Sequence, residues 1–385
     1  MTGGALTGLL VADFSRVLAG PLCTQTLADL GADVVKVERP GTGDDTRQWG
    51  PPFVAEGSTY HLGLNRGKRS LTLDLRDPGD QTLAAELCAR ADVVLESFRP
   101  GTMDRLGLGY DAVRAANPRV VYTSISAFGS GEATRELPGY DLLVQAMSGY
   151  MSITGDPGGA ALKPGTALAD MLTGLYATIG TLAALRAREQ GGGGQHVEVS
   201  LMESALAALL NLGSSFLNTG AVPARSGNAH PSIAPYETFR AADRDLALAG
   251  GNDAIFERLC AVLERPDLAA DPRFAANADR VAHRDALRGE LERVFAGDSA
   301  EAWAQRLNAA GVPAGPVNDV AEAYALAERL GLEPVVDLDG VRTARSPLRM
   351  TATPVAPTRR PPRLGEHDAE LRAWLSSPRG AAAAP

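Results

Sequence analysis

A single carboxylate, Asp170, ends the stretch Lys163-Pro164-Gly165-Thr166-Ala167-Leu168-Ala169 and stands directly before a long apolar helical pattern. A carboxylate in such a place can do two kinds of work. It can cap the helix by accepting backbone N–H bonds, a role for which Asp is among the preferred residues. It can also attack an activated acyl carbon, splitting one acyl transfer into two easier covalent steps. Downstream, Met171, Leu172, Leu175, Ile179, Leu182 and Leu185 recur at helical spacing before a polar Arg186-Ala187-Arg188-Glu189 end and a run of glycines. This pattern predicts Asp170 at or near the N-cap. There, free N–H groups and the positive helix end lower its pKa and keep it ionised at neutral pH. Local sequence favours the cap; the nucleophile needs support from the rest of the chain.

The elements that must position this carboxylate belong to a well-cored protein. The chain has 385 residues, enough for two domains, and is 45% hydrophobic with 22% charged residues. A net charge of −9 and a pI near 5.2 argue against a nucleic-acid partner, whose phosphates are met by clustered Lys and Arg. Cys23, Cys88 and Cys260 are too few and too scattered for a disulfide framework or a zinc site, which suits a reducing cytoplasm. The opening Met1 to Phe14 has no basic segment before its apolar run, so no secretory leader is expected. The apolar stretches 167–185 and 199–217 contain Asp170 and Glu203 and are rich in Ala, Gly, Ser or Thr. They read as core or interface helices, with no membrane partner.

The first 130 residues alternate strand and helix patterns. Candidate strands are Leu9–Asp13, Asp33–Glu38, Leu71–Leu75, Asp92–Glu96 and Arg119–Ser126, with helices at 20–30, 80–90 and 110–116. That rhythm predicts a parallel α/β sheet, which binds ligands at the carboxyl ends of its strands. The loops after Asp13, Glu38 and Glu96 are therefore the places to look. A nicotinamide-binding unit has the same outline, but the loop Phe14–Pro21 holds one glycine where that motif wants three. Gly191-Gly192-Gly193-Gly194 reads as a helix-to-strand connection ahead of His196-Val197-Glu198-Val199. Past residue 220 the composition shifts, and residues 225–320 read as a smaller α+β domain with strands Tyr236–Arg240 and Asp245–Ala249. Residues 351–363 read as extended, and a disordered tail is expected near 379–385.

Several stretches together resemble family III CoA-transferases, the group that includes formyl-CoA:oxalate transferase and the related α-methylacyl-CoA racemases. They are Asp13-Phe14-Ser15-Arg16-Val17-Leu18-Ala19-Gly20-Pro21, Leu30 to Asp44, Asn65 to Ser70, Glu96-Ser97-Phe98-Arg99-Pro100-Gly101, the Asp170 segment, Gly194-Gln195-His196-Val197 and Leu364-Gly365-Glu366-His367. They run in family order over nearly the whole chain. The resemblance implies that Asp170 is the nucleophile, passing through a mixed anhydride and an aspartyl-CoA thioester, with no prosthetic group and no metal. Coenzyme A and acyl-CoA are then substrates, and a carboxylic acid is the acceptor.

The same resemblance implies CoA contacts at Val17, Arg39, Ser97, Phe98 and Arg105, and a less specific basic cluster with Arg66, Lys68 and Arg69. It implies substrate or lid roles for Leu18, Tyr140, Gly227 and His230. Leu18 stands where formyl-CoA transferases carry glutamine, which points to a larger or less polar acyl group, with succinyl-CoA as the expected donor. The racemase branch uses a His in a Gly-His-Asp segment; here that segment is Gly139-Tyr140-Asp141. A tyrosine, with an ordinary pKa of about 10, is a poor proton shuttle near neutrality. Transferase chemistry is therefore preferred over racemisation, with a CoA-ester isomerase and a non-catalytic CoA-binding protein as the alternatives. The implied architecture is an interlocked homodimer. Its Rossmann-like large domain has a parallel sheet built from N- and C-terminal segments, 1–224 and 321–385, around the small domain 225–320.

Overall fold

Val, Ile and Leu runs flanked by glycine-containing turns build the centre of the molecule, as expected for strands buried on both faces. The computed structural model describes residues 3–355 and 359–379. Six parallel strands form one sheet: β1 (Leu10–Phe14), β2 (Asp33–Glu38), β3 (Lys68–Thr72), β4 (Val93–Glu96), β5 (Val121–Ser126) and β6 (Gln195–Ser200). Their spatial order is β3-β2-β1-β4-β5-β6. This is the doubly wound Rossmann order, and it reverses between β1 and β4. A crevice therefore opens beyond the carboxyl ends of those two strands, at Phe14 and Glu96.

The sheet differs from expectation in two places. β3 begins at Lys68 and ends at Thr72, three residues earlier than its apolar pattern suggests, because Lys68, Arg69 and Ser70 are themselves buried. All six strands come from residues 10–200, so the C-terminal segment supplies none of them. It returns instead as helix α12 (Asp368–Leu375), whose Leu371 and Leu375 join the core beside Leu71 and Leu87. Along the outer edge of β3, the Thr72 N–H donates to Asp368 Oδ1 at 2.7 Å and the Ser70 N–H to His367 Nδ1 at 3.2 Å.

Two compact units result. The larger comprises residues 1–150, 163–221 and 333–385; the smaller comprises 151–162 and 222–332. The smaller unit carries the antiparallel sheet β9-β8-β7, made of β7 (Tyr236–Arg240), β8 (Asp245–Ala249) and β9 (Ala314–Pro316). Helices α8 (Asp253–Val262), α9 (Arg284–Phe295) and α10 (Ala300–Ala309) pack on it around Phe239, Phe256, Phe295 and Trp303. Its far boundary lies beyond helix α11 (Val320–Arg329) rather than before it. Of the tail expected to be disordered, Arg379 is ordered by an ion pair with Glu86, and residues 380–385 lie outside the described residues.

Within the larger unit, helix α1 (Ala19–Asp29) follows β1 and packs against the long helix α5 (Leu168–Glu189). Gly174 permits this approach: a Cβ there would lie 2.6 Å from the Ala19 carbonyl oxygen. The close crossing brings the start of α5 to the end of β1. α5 is long and apolar enough to cross a membrane, but Ala169, Thr173, Gly174, Ala177, Thr181 and Leu185 are buried against the protein. Met171, Leu175, Tyr176 and Ile179 leave an exposed apolar stripe on its other face. The apolar run after β6 is two helices, α6 (Leu201–Ala207) and α7 (Leu210–Thr219), separated at Leu210, whose φ is +46°.

Candidate active site

Two cavities that share Arg16 and Phe98 open at the crevice beyond β1 and β4. The first, about 370 Å³, is lined by Arg39, Arg76 and Arg105 among others. The second, about 180 Å³, holds Asp170 with Val17, Ser97, Tyr140 and Leu201. A ligand with a phosphorylated head and a long arm could lie in the first and extend past Arg16 and Phe98 into the second.

The loops forming the passage are fixed by short polar contacts. The Arg16 N–H donates to Ser97 Oγ at 3.0 Å, tying the loop after β1 to the loop after β4. The Phe98 N–H donates to the Glu96 carboxylate at 2.8 Å, and the Arg16 guanidinium lies 5.6 Å from the Phe98 ring centre. Arg16 and Arg39 both pair with Asp45, at 3.0 and 2.7 Å, and both remain partly exposed. Arg105 donates to Thr102 Oγ1 at 3.0 Å and is exposed. Cations held at a rim in this way can meet phosphate without a large burial cost.

Asp170 is not the cap of α5. It is the third residue of the helix, and the acceptor at the helix start is Asp141, 29 residues earlier. Asp141 Oδ1 accepts the Ala169 N–H at 2.9 Å and the Asp170 N–H at 3.3 Å; its other oxygen accepts from Gln145 at 2.6 Å. Burial, together with the nearby Asp141 charge, pushes the Asp170 carboxyl up to about 7. This reverses the expected lowering, because the helix N–H groups that would have stabilised its charge are already occupied. Burial and then the charges of Asp170, Asp141 and Asp44 push the Tyr60 phenol up to about 12.

Among the residues expected at a CoA site, Val17, Ser97 and Phe98 line the Asp170 cavity with Tyr140, whereas Arg39 and Arg105 line the basic one. Lys68 and Arg69 line neither and are fully buried. Lys68 Nζ donates to Asp13 at 3.1 Å, Asn65 at 2.9 Å and the Pro21 carbonyl at 3.0 Å. Arg69 pairs with Asp33, and Arg66 pairs with Asp29 at 2.5 Å. We therefore remove Lys68 and Arg69 from the CoA contacts, since their charges are neutralised inside the sheet. Leu18 is buried, and its neighbours Val17 and Ala19 line the cavity in its place. Gly227 and His230 belong to the smaller unit and are not among the side chains lining either cavity. There, Gly227 takes a φ of +60° and His230 packs edge-on to Tyr236.

Two residues of the site, Arg16 and Asp141, escaped sequence reasoning. Arg16 lay inside a matched motif and could have been singled out by its charge. Asp141 sits beside Tyr140, but its bond to a helix 28 residues away has no local signature.

The profile of CoA-transferase family III matches residues 6–368, almost the whole chain. The chain belongs to CoA-transferase family III. Members similar to it include the acetyl-CoA:oxalate CoA-transferase of Acetobacter aceti, 42% identical over 97% of both chains. The succinate–glutarate CoA-transferase of Agrobacterium fabrum is also 42% identical, over 97% of this chain and 96% of its own. Among solved structures, a CaiB/BaiF family protein from Brucella suis superposes with a TM-score of 0.89 at 42% identity, covering 97% of this chain and all of that one. The protein is thus a family III CoA-transferase, acting on CoA thioesters and carboxylates.

Proposed function

We propose that the enzyme moves CoA from an acyl-CoA donor to a dicarboxylic acid through covalent intermediates on Asp170, with succinyl-CoA as the donor. The observation that carries this reading is the placement of an unpaired carboxylate at the end of a passage from a basic cavity. Asp170 attacks the thioester carbonyl, forming a mixed anhydride and releasing the CoA thiolate. The thiolate attacks the Asp170 carbonyl carbon, which frees the donor carboxylate and leaves an aspartyl-CoA thioester. The incoming carboxylate attacks that carbon, giving a second anhydride and again the thiolate. The thiolate then takes the new acyl group, and Asp170 is restored.

The residues present suit each requirement. A carboxyl with its pKa near 7 is ionised often enough to attack and is a stronger nucleophile than an ordinary carboxylate. α1 begins at the cavity wall without a side-chain cap, so its first N–H groups are available to a developing oxyanion. Arg16 and Arg99 line the Asp170 cavity and match the distal carboxylate of a dicarboxylic acid. Relatives named for oxalate, glutarate and mesaconate support that substrate class. The exposed stripe on α5 supports a homodimer in which a second copy covers it.

Intact-mass analysis after incubation with a panel of acyl-CoA esters, with hydroxylamine trapping and peptide mapping, tests the mechanism. A CoA adduct or hydroxamate on Asp170 is the expected result. Transfer without an adduct, or α-proton exchange without an acceptor acid, would replace it.

A further inference from the structure

Val17 holds a backbone conformation that its side chain opposes. Its φ is +70°, the left-handed region, where a β-branched residue is a genuine outlier. Such strain persists only where the surroundings over-determine it. Here the surroundings are explicit. The Val17 N–H lies 3.3 Å from each oxygen of Asp44. Asp44 is fully buried, accepts both the N–H and the hydroxyl of Thr46 at 2.9 and 2.8 Å, and pairs with Lys36 at 2.9 Å. Lys36, also fully buried, donates its second bond to the Ser15 carbonyl at 2.9 Å. The peptides of residues 15, 16 and 17 are thus gripped by Lys36, Ser97 and Asp44 respectively.

The two sides of this grip face different cavities. Lys36 and Asp44 line the basic cavity, whereas Val17 lines the cavity of Asp170. We propose that Asp44, anchored by Lys36, is a positioning residue for acyl transfer: it holds Val17 in its strained conformation and so sets where the thioester lies relative to Asp170. This rests on the reading of the Asp170 cavity as the transfer site. Because Val17 acts at the reacting end and the head group is held elsewhere, the effect falls on turnover more than on affinity.

Glycine adopts a positive φ without cost, so replacing Val17 removes the need for the clamp. Asp44→Asn weakens the clamp, since an amide offers one acceptor oxygen to the four donors of Lys36, Thr46 and Val17. Single-turnover adduct formation and steady-state transfer are measured for wild type, Asp44→Asn, Val17→Gly and the double variant. With Val17 present, Asp44→Asn lowers kcat and the adduct rate about tenfold or more, while KM for the acyl-CoA changes by less than about threefold. In the Val17→Gly background the same substitution lowers them by no more than about threefold. An equal loss in both backgrounds, or a loss confined to KM, overturns the proposal.

If Asp44→Asn does not fold in either background, thermal melting of Val17→Gly and Val17→Ala decides. The glycine variant melts higher if the backbone is held against strain; an equal or lower melting temperature overturns the clamp. Failure of the wild type to form any adduct on Asp170 would instead refute the reading of the cavity, and the melting comparison would still stand.

Discussion

Two carboxylates sit within the same crevice region and behave in opposite ways. Burial acts to raise Asp13, but Lys68, Lys36 and the hydroxyls of Ser15 and Thr24 more than offset it and hold its pKa below the usual range. Asp170 is less deeply buried, but it has no cation against it among the described residues and a second carboxylate nearby, and it rises to about 7. One is a structural charge fixed at the end of β1; the other lacks a partner cation among the described residues and is the proposed nucleophile. The deeper carboxylate is the one held ionised, so partners outweigh depth in separating the two.

The comparison can be broken from either side. Asp170→Asn should lower transfer by roughly 10³-fold or more, because the amide cannot form the anhydride; CoA affinity, read by calorimetry, should be retained. Residual transfer within tenfold of wild type would remove Asp170 from the reaction. On the other side, Lys68→Met leaves Asp13 facing one cation fewer and should destabilise the fold by about 3–5 kcal/mol. A denaturant midpoint near wild type would show that the pair does not hold the sheet.

The pH dependence sharpens the contrast. Adduct formation by Asp170 should rise with pH up to about 7 and level off above it, since only the ionised carboxylate attacks. A flat profile from pH 5 to 8 would mean that another step governs the rate. Stability runs the other way. A carboxyl whose folded pKa is raised favours the fold below its unfolded value and loses that contribution as pH climbs through the folded one. Asp170→Asn should therefore be more stable than wild type at pH 8, by on the order of 2 kcal/mol, and the gap should close below pH 4. The smallest effect expected is that of Arg39→Ala. At the proposed CoA site its partly exposed guanidinium should contribute about 1 kcal/mol, read as a severalfold rise in Kd with adduct formation intact at saturation.

Much of the fold was legible because the sheet is made of short apolar runs at regular intervals. β2 and the strands β7 and β8 match their expected bounds. β3 was displaced because a buried lysine and arginine look, in sequence, like surface cations. The same ambiguity put Lys68 and Arg69 in the CoA site. Only three-dimensional proximity to Asp13 and Asp33 reveals that they are already paired. Asp170 was singled out by its setting and expected to be held low in pKa; it is raised instead, because Asp141 reaches the helix start from far along the chain. Motifs can mark a reactive residue, but its protonation depends on neighbours that no local window contains.

The sealing of β3 by the last helix bears on biosynthesis. β1, β2 and β3 leave the ribosome early, yet the residues that satisfy the β3 edge and fill the core beside Leu71 lie at 367–375. Until those residues emerge, that edge is open to pairing with other chains, and Leu371 and Leu375 are missing from the core. The large unit cannot close around β3 until residues 367–375 have emerged, so the early strands depend on a segment about 300 residues further along the chain.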